Sequence, residues 1–398
     1  MKKIMFLGGS NQQIPAIKYA NESGYYTILC DYLNDNPGQY LTDEFYCVST
    51  TDKEKVLEIA RLLNIDGIVA YASDPAALTA AYVAEALNLP SNPYESVLIL
   101  SKKDLFRKFL KENGFNCPKA KSFNNIEDAY KELEDFRLPI IVKPIDSSGS
   151  KGVNRVDDIN KFESSFNLAL ENSRDKVVIV EEFIERSHPC MIGGDGFVVD
   201  GKLVFTGYLN SHRNFKLNPY VPIGTSYPLF MNEKQKEQIY NEIQRVIDLL
   251  DIKMGALNLE LMFSTDGKLY IIEIGPRNGG NMIPDLLEIA TGVDLIAATV
   301  EASIGNYNLK LKEQNEKKFY STYVIHSSVD GKLDYITYAD EIKDNIVKEV
   351  MYKSLGDKVE VFNGANKALG IVFLKYDSIE ELKYKMENIN KLIKVKLV

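Results

Sequence analysis

Apolar and polar positions follow two rhythms along this chain, and the rhythms divide it. Through residues 1–92, short apolar runs (KIMFL, YYTILC, IDGIVAYA) are separated by stretches whose apolar residues recur at helical spacing: QQIPAIKYANESG, KEKVLEIARLLN and PAALTAAYVAEALN. Strand, helix, strand at this spacing predicts a right-handed parallel α/β lobe, closed by the turn NLPSNP. From SKKDLFRKFLKENGF onward the texture changes. One amphipathic helix gives way to the extended NCPKAKSF, a helix at IEDAYKELEDF, and an apolar strand LPIIVKPI that ends in a lysine; DKVVIVEEFIE is a second apolar strand, closing on acids.

The polar and aromatic stretch GYLNSHRNFKLNPYVPIGTSYP reads as a substrate-side loop or lid. After it, the helix NEKQKEQIYNEIQRVIDLLDI leads to two strands, ALNLELMF and KLYIIEIG. Beyond NYNLKLKEQNEKK the chain predicts a small α+β cap of short strands, a KSLGDKVEVFNG turn and a terminal helix. No internal repeat or low-complexity segment is visible.

Three of these segments suggest chemistry. IIVKPIDSSGSKGV places Lys143 at the end of a strand, beside a loop from Ser147 to Gly152 whose small residues Ser148, Gly149, Ser150 and Gly152, with Lys151, leave backbone N–H groups open to an anion. It does not fit the Walker pattern, because its lysine precedes the glycine and no Ser or Thr follows. An exposed hairpin turn with a snorkelling lysine is the plain alternative. The acid-ended strand around Glu181, Glu182, Phe183 and Ile184 is either an ordinary core strand or a linker whose terminal backbone groups read the edge of adenine.

Glu260 and Glu273 carry the sharpest signal. Between them, Asp266-Gly267 marks a hairpin turn. Leu257, Leu259, Leu261 and Phe263 occupy one face of the first strand, and Tyr270, Ile272 and Ile274 one face of the second. For these faces to coincide, Phe263 must pair with Tyr270 through an even-length loop, which sets Glu260 directly opposite Glu273 on the other face. Such a pair repels unless a cation sits between the carboxylates, and oxygen ligation favours Mg²⁺ or Mn²⁺ over zinc. An odd, bulged loop would split the two glutamates, and a solvated acidic face is the other alternative. Arg277 follows in EIGPRNGGN, where a cation can clamp phosphoryl oxygens.

The early LGGSNQQIPA, with Asp31 ending the second strand, invites a dinucleotide reading. GGSNQQ lacks the third glycine of GxGxxG, so a tight strand-to-helix turn is the better account. Composition narrows the partners. The 398 residues carry a formal charge of −9, with 45% hydrophobic and 26% charged residues, which argues against a general nucleic-acid binder. Cys30, Cys47, Cys117 and Cys190 form no CxxC pair and suit a reducing compartment. The apolar run in MKKIMFL stops after Leu7, too early for a signal peptide, and no stretch approaches a membrane span; a soluble, cytoplasmic protein is the expectation.

In their order and spacing these pieces resemble the ATP-grasp superfamily over nearly the whole chain. The resemblance implies an α/β and α+β multidomain fold. A pre-ATP-grasp lobe would occupy residues 1–92, an ATP-grasp domain 93–310 with a flexible lid at about 116–187, and a C-terminal α+β lobe 311–398. In that pattern Lys102 and Lys143 look like the two phosphate-contacting lysines, residues 148–152 like the phosphate flap, and residues 181–184 like the adenine hinge. Glu260 and Glu273 match the metal acids, and Arg277 the arginine that steadies an acyl phosphate. His212, Arg213 and Asn281 fall on the substrate side.

The run EIGPRNGGNMIPDLLEIATGVDL is similar to amino-acid ligases, while the domain order is equally similar to glycinamide ribonucleotide synthetase and the biotin carboxylase subunits. Two departures stand out. Gly275 occupies a place where the superfamily often has Asn, which would pass a metal contact to water or Asn278, and the usual acid near the ribose is replaced by Glu185 or His188. The implied activity is ATP- and Mg²⁺-dependent joining of a small-molecule carboxylate to an amine through an acyl phosphate, by a chain with no nucleic-acid or membrane partner and a possible homodimer. A kinase-like or nucleotide-binding protein that stops before ligation is the alternative, and an NAD oxidoreductase a more distant one.

Overall fold

The computed structural model describes residues 1–214, 217–312 and 318–398, and four sheets and twelve α-helices are found among them. The N-terminal sheet is parallel throughout, in the order Glu44–Cys47, Tyr26–Asp31, Lys3–Leu7, Gly67–Val69. Both of its faces are covered, which is why its strands read as unbroken apolar runs. Met5, Leu7 and Ile28 pack with Val56 and Ala60 of the helix Lys53–Leu63. Ile4, Phe6 and Leu29 pack with Ile17, and with Ile296 and Val300 from a helix far downstream, Leu295–Ser303. That second contact fastens the first lobe to the rest of the molecule.

A four-stranded antiparallel sheet follows, ordered Ala120–Phe123, Val178–Glu182, Ile140–Pro144, Asn154–Val156. Its inner face holds Ile140, Val142, Val178 and Val180 against Phe162, Phe166 and Ala169 of the helix Phe162–Asn172. Burying the Ile, Val and Phe side chains contributes about 1.5–3 kcal/mol each, so the sheet expected to be a lid has a core of its own.

The largest sheet has eight antiparallel strands, ordered Leu269–Gly275, Met254–Phe263, Met191–Val199, Lys202–Asn214, Asn218–Tyr227, Phe319–Ile325, Gly370–Tyr376, Ile346–Met351. It runs continuously across the expected boundary between residues 310 and 311. The segment anticipated as a substrate-side loop lies at its centre, as the strands Lys202–Asn214 and Asn218–Tyr227; Phe215 and Lys216 of that segment lie outside the described residues. Its polar residues disguised it. Asn210 is buried, yet its amide donates to Ser226 O and Pro228 O and its carbonyl accepts from Phe230 N, so the polarity is met within the sheet.

The C-terminal segment adds a small sheet of Lys358–Val359, Gly331–Tyr338 and Ile393–Leu397. The helix Ile379–Leu392 is therefore not terminal as expected, since a strand follows it directly. No helix among the described residues is long and apolar enough to cross a membrane.

Candidate active site

A cavity of about 1610 Å³ opens where the parallel lobe, the lid sheet, the large sheet and the C-terminal segment meet. The large sheet supplies its acids. Glu260 pairs with Glu273 across the strands Met254–Phe263 and Leu269–Gly275, and both line the cavity. The register expected at the turn is wrong, however. Phe263 pairs with Leu269, not Tyr270, and Leu261 with Ile271; one extra residue, Ile272, then restores the alignment of the two glutamates. The β-bulge reverses the inward-facing set. Leu269 and Ile271 join the core, and Tyr270 and Ile272 turn to the cavity beside Met262.

The two carboxylates are not equivalent. Arg213 Nη2 donates to Glu260 Oε1 at 2.6 Å. Among the described residues no group of three or more His, Cys, Asp or Glu stands together as a metal cluster. Two facing carboxylates on a cavity wall nevertheless fit Mg²⁺, which commonly takes one or two carboxylates and completes its shell with water and substrate phosphate oxygens.

Lys143 is buried with its ammonium 2.7 Å from Glu181 Oε2, and Arg107 Nε lies 2.9 Å from Glu181 Oε1. Burial pushes the Lys143 ammonium below its usual range, with Glu181 opposing. For Glu181, burial works against ionisation, but Arg107 and Lys143 outweigh it and hold the carboxyl down to about 2. Glu181 is thus a counter-ion, while Glu182, Phe183 and Ile184 continue along the cavity. The N–H groups of Glu182 and Phe183 are taken up by Lys119 O and Pro139 O, and the Arg155 guanidinium lies 4.2 Å over the Phe183 ring.

Lys102 is not a cavity residue. Its ammonium is held by Asp175 at 2.6 Å and Asp146 at 3.6 Å, and the next residue, Lys103, lines the cavity and donates to Ser147 O at 2.8 Å. Adjacent residues at the start of the helix Lys103–Glu112 point in different directions, and the sequence offered no means of choosing between them. Within the flap, Ser148, Gly149 and Ser150 line the cavity, whereas Lys151 is exposed and Gly152 packs on Asn172 and Pro144. Gly149 (φ 64°), Ser150 (φ 60°) and Gly152 (φ 73°) are left-handed, and Ser150 Oγ donates to Tyr220 O at 2.8 Å.

Arg277 faces the cavity as a clamped group. Its Nε and Nη2 donate to the two oxygens of Asp74 at 2.7 and 2.6 Å, and Nη1 to Asn278 O at 2.9 Å. Burial disfavours its charge, but Asp74 more than offsets that and raises its pKa. A side chain at position 275 would meet Asp74 Oδ1 at 2.9 Å and Arg277 Cζ at 3.2 Å, which explains the glycine there. Asn278 is fully buried, with its carbonyl accepting from Thr299 Oγ1, and is not on the cavity wall. The following Gly279 N–H is held by Asp195, whose carboxyl burial raises to about 6 against the pull of that N–H and of Asn258. Asn281 lines the cavity, its N–H bound to Gln12 Oε1 at 2.7 Å.

On the expected substrate side, the structure separates two neighbours. Arg213 faces the cavity, but His212 is turned away into the sheet, 2.9 Å from Ser226 Oγ and 3.6 Å from Cys190 Sγ. Burial, reinforced by Arg213, lowers its pKa to about 4. Glu185 lines the cavity; His188 instead accepts a hydrogen bond from Phe263 N. Asp31 accepts from Gly9 N and Leu33 N and is not among the residues lining the cavity. Lys103, Arg107 and Asp74 were missed. Asp74 had a signal, since it opens a helix at the carboxyl edge of a parallel sheet, where such folds gather their sites.

Residues 100–281 match the family model for the ATP-grasp domain. The carbamoyl phosphate synthase large chain of Thermotoga neapolitana is 27% identical over 298 residues, spanning 69% of this chain and 26% of that protein, so this chain corresponds to a minor part of its length. The crystal structure of phosphoribosylglycinamide synthetase from Anaerococcus prevotii is similar at a TM-score of 0.77 and 23% identity, with 100% of each chain covered. That of L-amino acid ligase from Bacillus licheniformis gives 0.81 and 20%, covering 100% of this chain and 99% of the other. At these identities the two structures establish a shared fold.

Proposed function

We propose that the chain, whose residues 100–281 match the ATP-grasp domain model, is an ATP-dependent ligase joining a small-molecule carboxylate to an amine, with release of ADP and phosphate. One observation carries the reading: Glu260 and Glu273 face each other on the wall of a cavity that also holds Lys103, Lys143 and the flap. Paired acids and separate cations around one space suit a metal-loaded polyphosphate.

Glu260 and Glu273 would hold the divalent cation, Mg²⁺ or Mn²⁺, which when bound supplies charge neutralisation at the phosphate oxygens. Lys103 and Lys143 donate to the remaining oxygens. The backbone of Ser148, Gly149 and Ser150 folds over them and keeps water from the reacting phosphorus. Met262, Tyr270 and Ile272 give the base an apolar surface beside Ile184. The substrate carboxylate attacks the γ-phosphorus and ADP leaves. The amine then attacks the acyl carbon and phosphate leaves. Arg277, fixed by Asp74, stabilises the charge on the transferring group without having to reorganise. No side chain acts as nucleophile.

The names of the two structural neighbours direct the first screens to amino acids and phosphoribosylamine as substrates. ADP release should require both a carboxylate and an amine. ADP formed with a single substrate, accompanied by a stable phosphoryl product, would replace ligation by the kinase-like alternative, and no ADP with any pair would remove the reading.

A further inference from the structure

Arg213 has an arrangement that the ligase reading does not use. Its side chain is only 6% exposed, yet it lies on the cavity wall with one guanidinium nitrogen, Nη2, on Glu260 Oε1. The other terminal nitrogen, Nη1, is buried with no hydrogen-bond partner among the described residues. A buried donor left unmet is unfavourable, so the site is short of an acceptor at this point.

The backbone is shaped to hold the side chain there. Pairing between Lys202–Asn214 and Asn218–Tyr227 shifts register on both sides of Arg213, which stands opposite Pro222, a residue with no N–H to give the ladder. Bulges of this kind re-aim a side chain. Arg277, by contrast, has Nε, Nη1 and Nη2 all engaged and cannot turn.

Glu260 therefore has two claimants, the Arg213 guanidinium and a divalent cation. Their like charges repel, and both seek the same carboxylate. We propose that Arg213 changes partners: it neutralises Glu260 while no metal is bound, and when a divalent cation takes that carboxylate the guanidinium passes to the oxyanion of the transferring phosphoryl group. Metal binding and anion binding are then coupled through one side chain, and each promotes the other. This rests on the ligase reading above.

The test measures Mn²⁺ binding to the ADP complex by electron paramagnetic resonance, and inorganic phosphate binding to the Mn²⁺–ADP complex by calorimetry, in the wild type, Arg213→Met and Arg213→Lys. Exchange predicts that Arg213→Met binds Mn²⁺ more tightly, because a competitor is gone, and binds phosphate about tenfold more weakly or worse, the loss of a charge-assisted hydrogen bond. Arg213→Lys keeps the charge without the fork, and should fall between the two in phosphate affinity. An arginine that merely pins Glu260 gives the opposite sign for the metal. Weaker Mn²⁺ binding in Arg213→Met, or unchanged phosphate binding in both variants, overturns the exchange alone. Wild-type protein that binds no Mn²⁺–ADP overturns the ligase reading and the exchange with it. Should Arg213→Met fail to fold, Arg213→Lys decides, with unchanged phosphate affinity counting against the exchange.

Discussion

Two charged triplets border the cavity, and their charges are balanced in opposite senses. On the lid side, Lys143 and Arg107 share one carboxylate, Glu181, and all three are nearly sealed from water. On the large sheet, Glu260 and Glu273 stand opposite each other with one cation, Arg213, paired to Glu260 alone, and the Glu260 side chain keeps 33% of its surface exposed. The first set is a buried network with an excess positive charge, and only Lys143 and Glu181 of it reach the cavity wall. The second is open, with an excess negative charge. The difference lies in what each holds: the buried triplet fixes the strand Val178–Glu182 and with it the position of Lys143, and Arg107 Nη2 also ties it to Ile272 O of the large sheet. The open triplet waits for a charge from outside.

The comparison breaks most visibly at Glu181. Glu181→Gln leaves two buried cations without their carboxylate and should destabilise the protein by about 3–5 kcal/mol, read from urea unfolding. Its carboxyl is depressed from an ordinary 4.5 to about 2, so its contribution is fully present above 4.5 and is lost as pH falls toward 2. Wild-type stability should therefore drop in that acid window, and the variant should drop less. Glu273→Gln should do the reverse, lowering ATP turnover by roughly 10²–10³-fold or more with an unfolding midpoint close to wild type. A midpoint shift as large as that of Glu181→Gln would mean that the acid pair is structural too.

Smaller effects sharpen the boundary between the triplets. Lys103→Met should raise the KM for ATP by about tenfold, one charge-assisted contact, while Lys102→Met should leave it unchanged, since that ammonium serves Asp146 and Asp175. Equal effects of the two substitutions would contradict the placement of Lys103.

Legibility in the sequence followed the same division. The parallel lobe was readable because both sheet faces are buried and its strands are plain apolar runs. The pairing of Glu260 with Glu273 was readable from alternation, but the turn beside it was not: the bulge at Ile272 adds one residue, and nothing in KLYIIEIG distinguishes the isoleucine that faces the cavity from the one that faces the core. The strands Lys202–Asn214 and Asn218–Tyr227 were hidden because Asn210, His212 and Ser226 satisfy one another across the sheet, so polar residues stand where apolar ones mark a strand. Lys102 was chosen over Lys103 because direction at a helix start depends on tertiary partners that only the fold supplies.

The central claim is that the open triplet holds a divalent cation for a nucleotide. It is tested most directly by the anomalous scattering of Mn²⁺ in crystals grown with Mn²⁺ and ADP. The account predicts a peak between the carboxylates of Glu260 and Glu273. A nucleotide bound in the cavity with its metal elsewhere, and both glutamates left without it, would contradict the account.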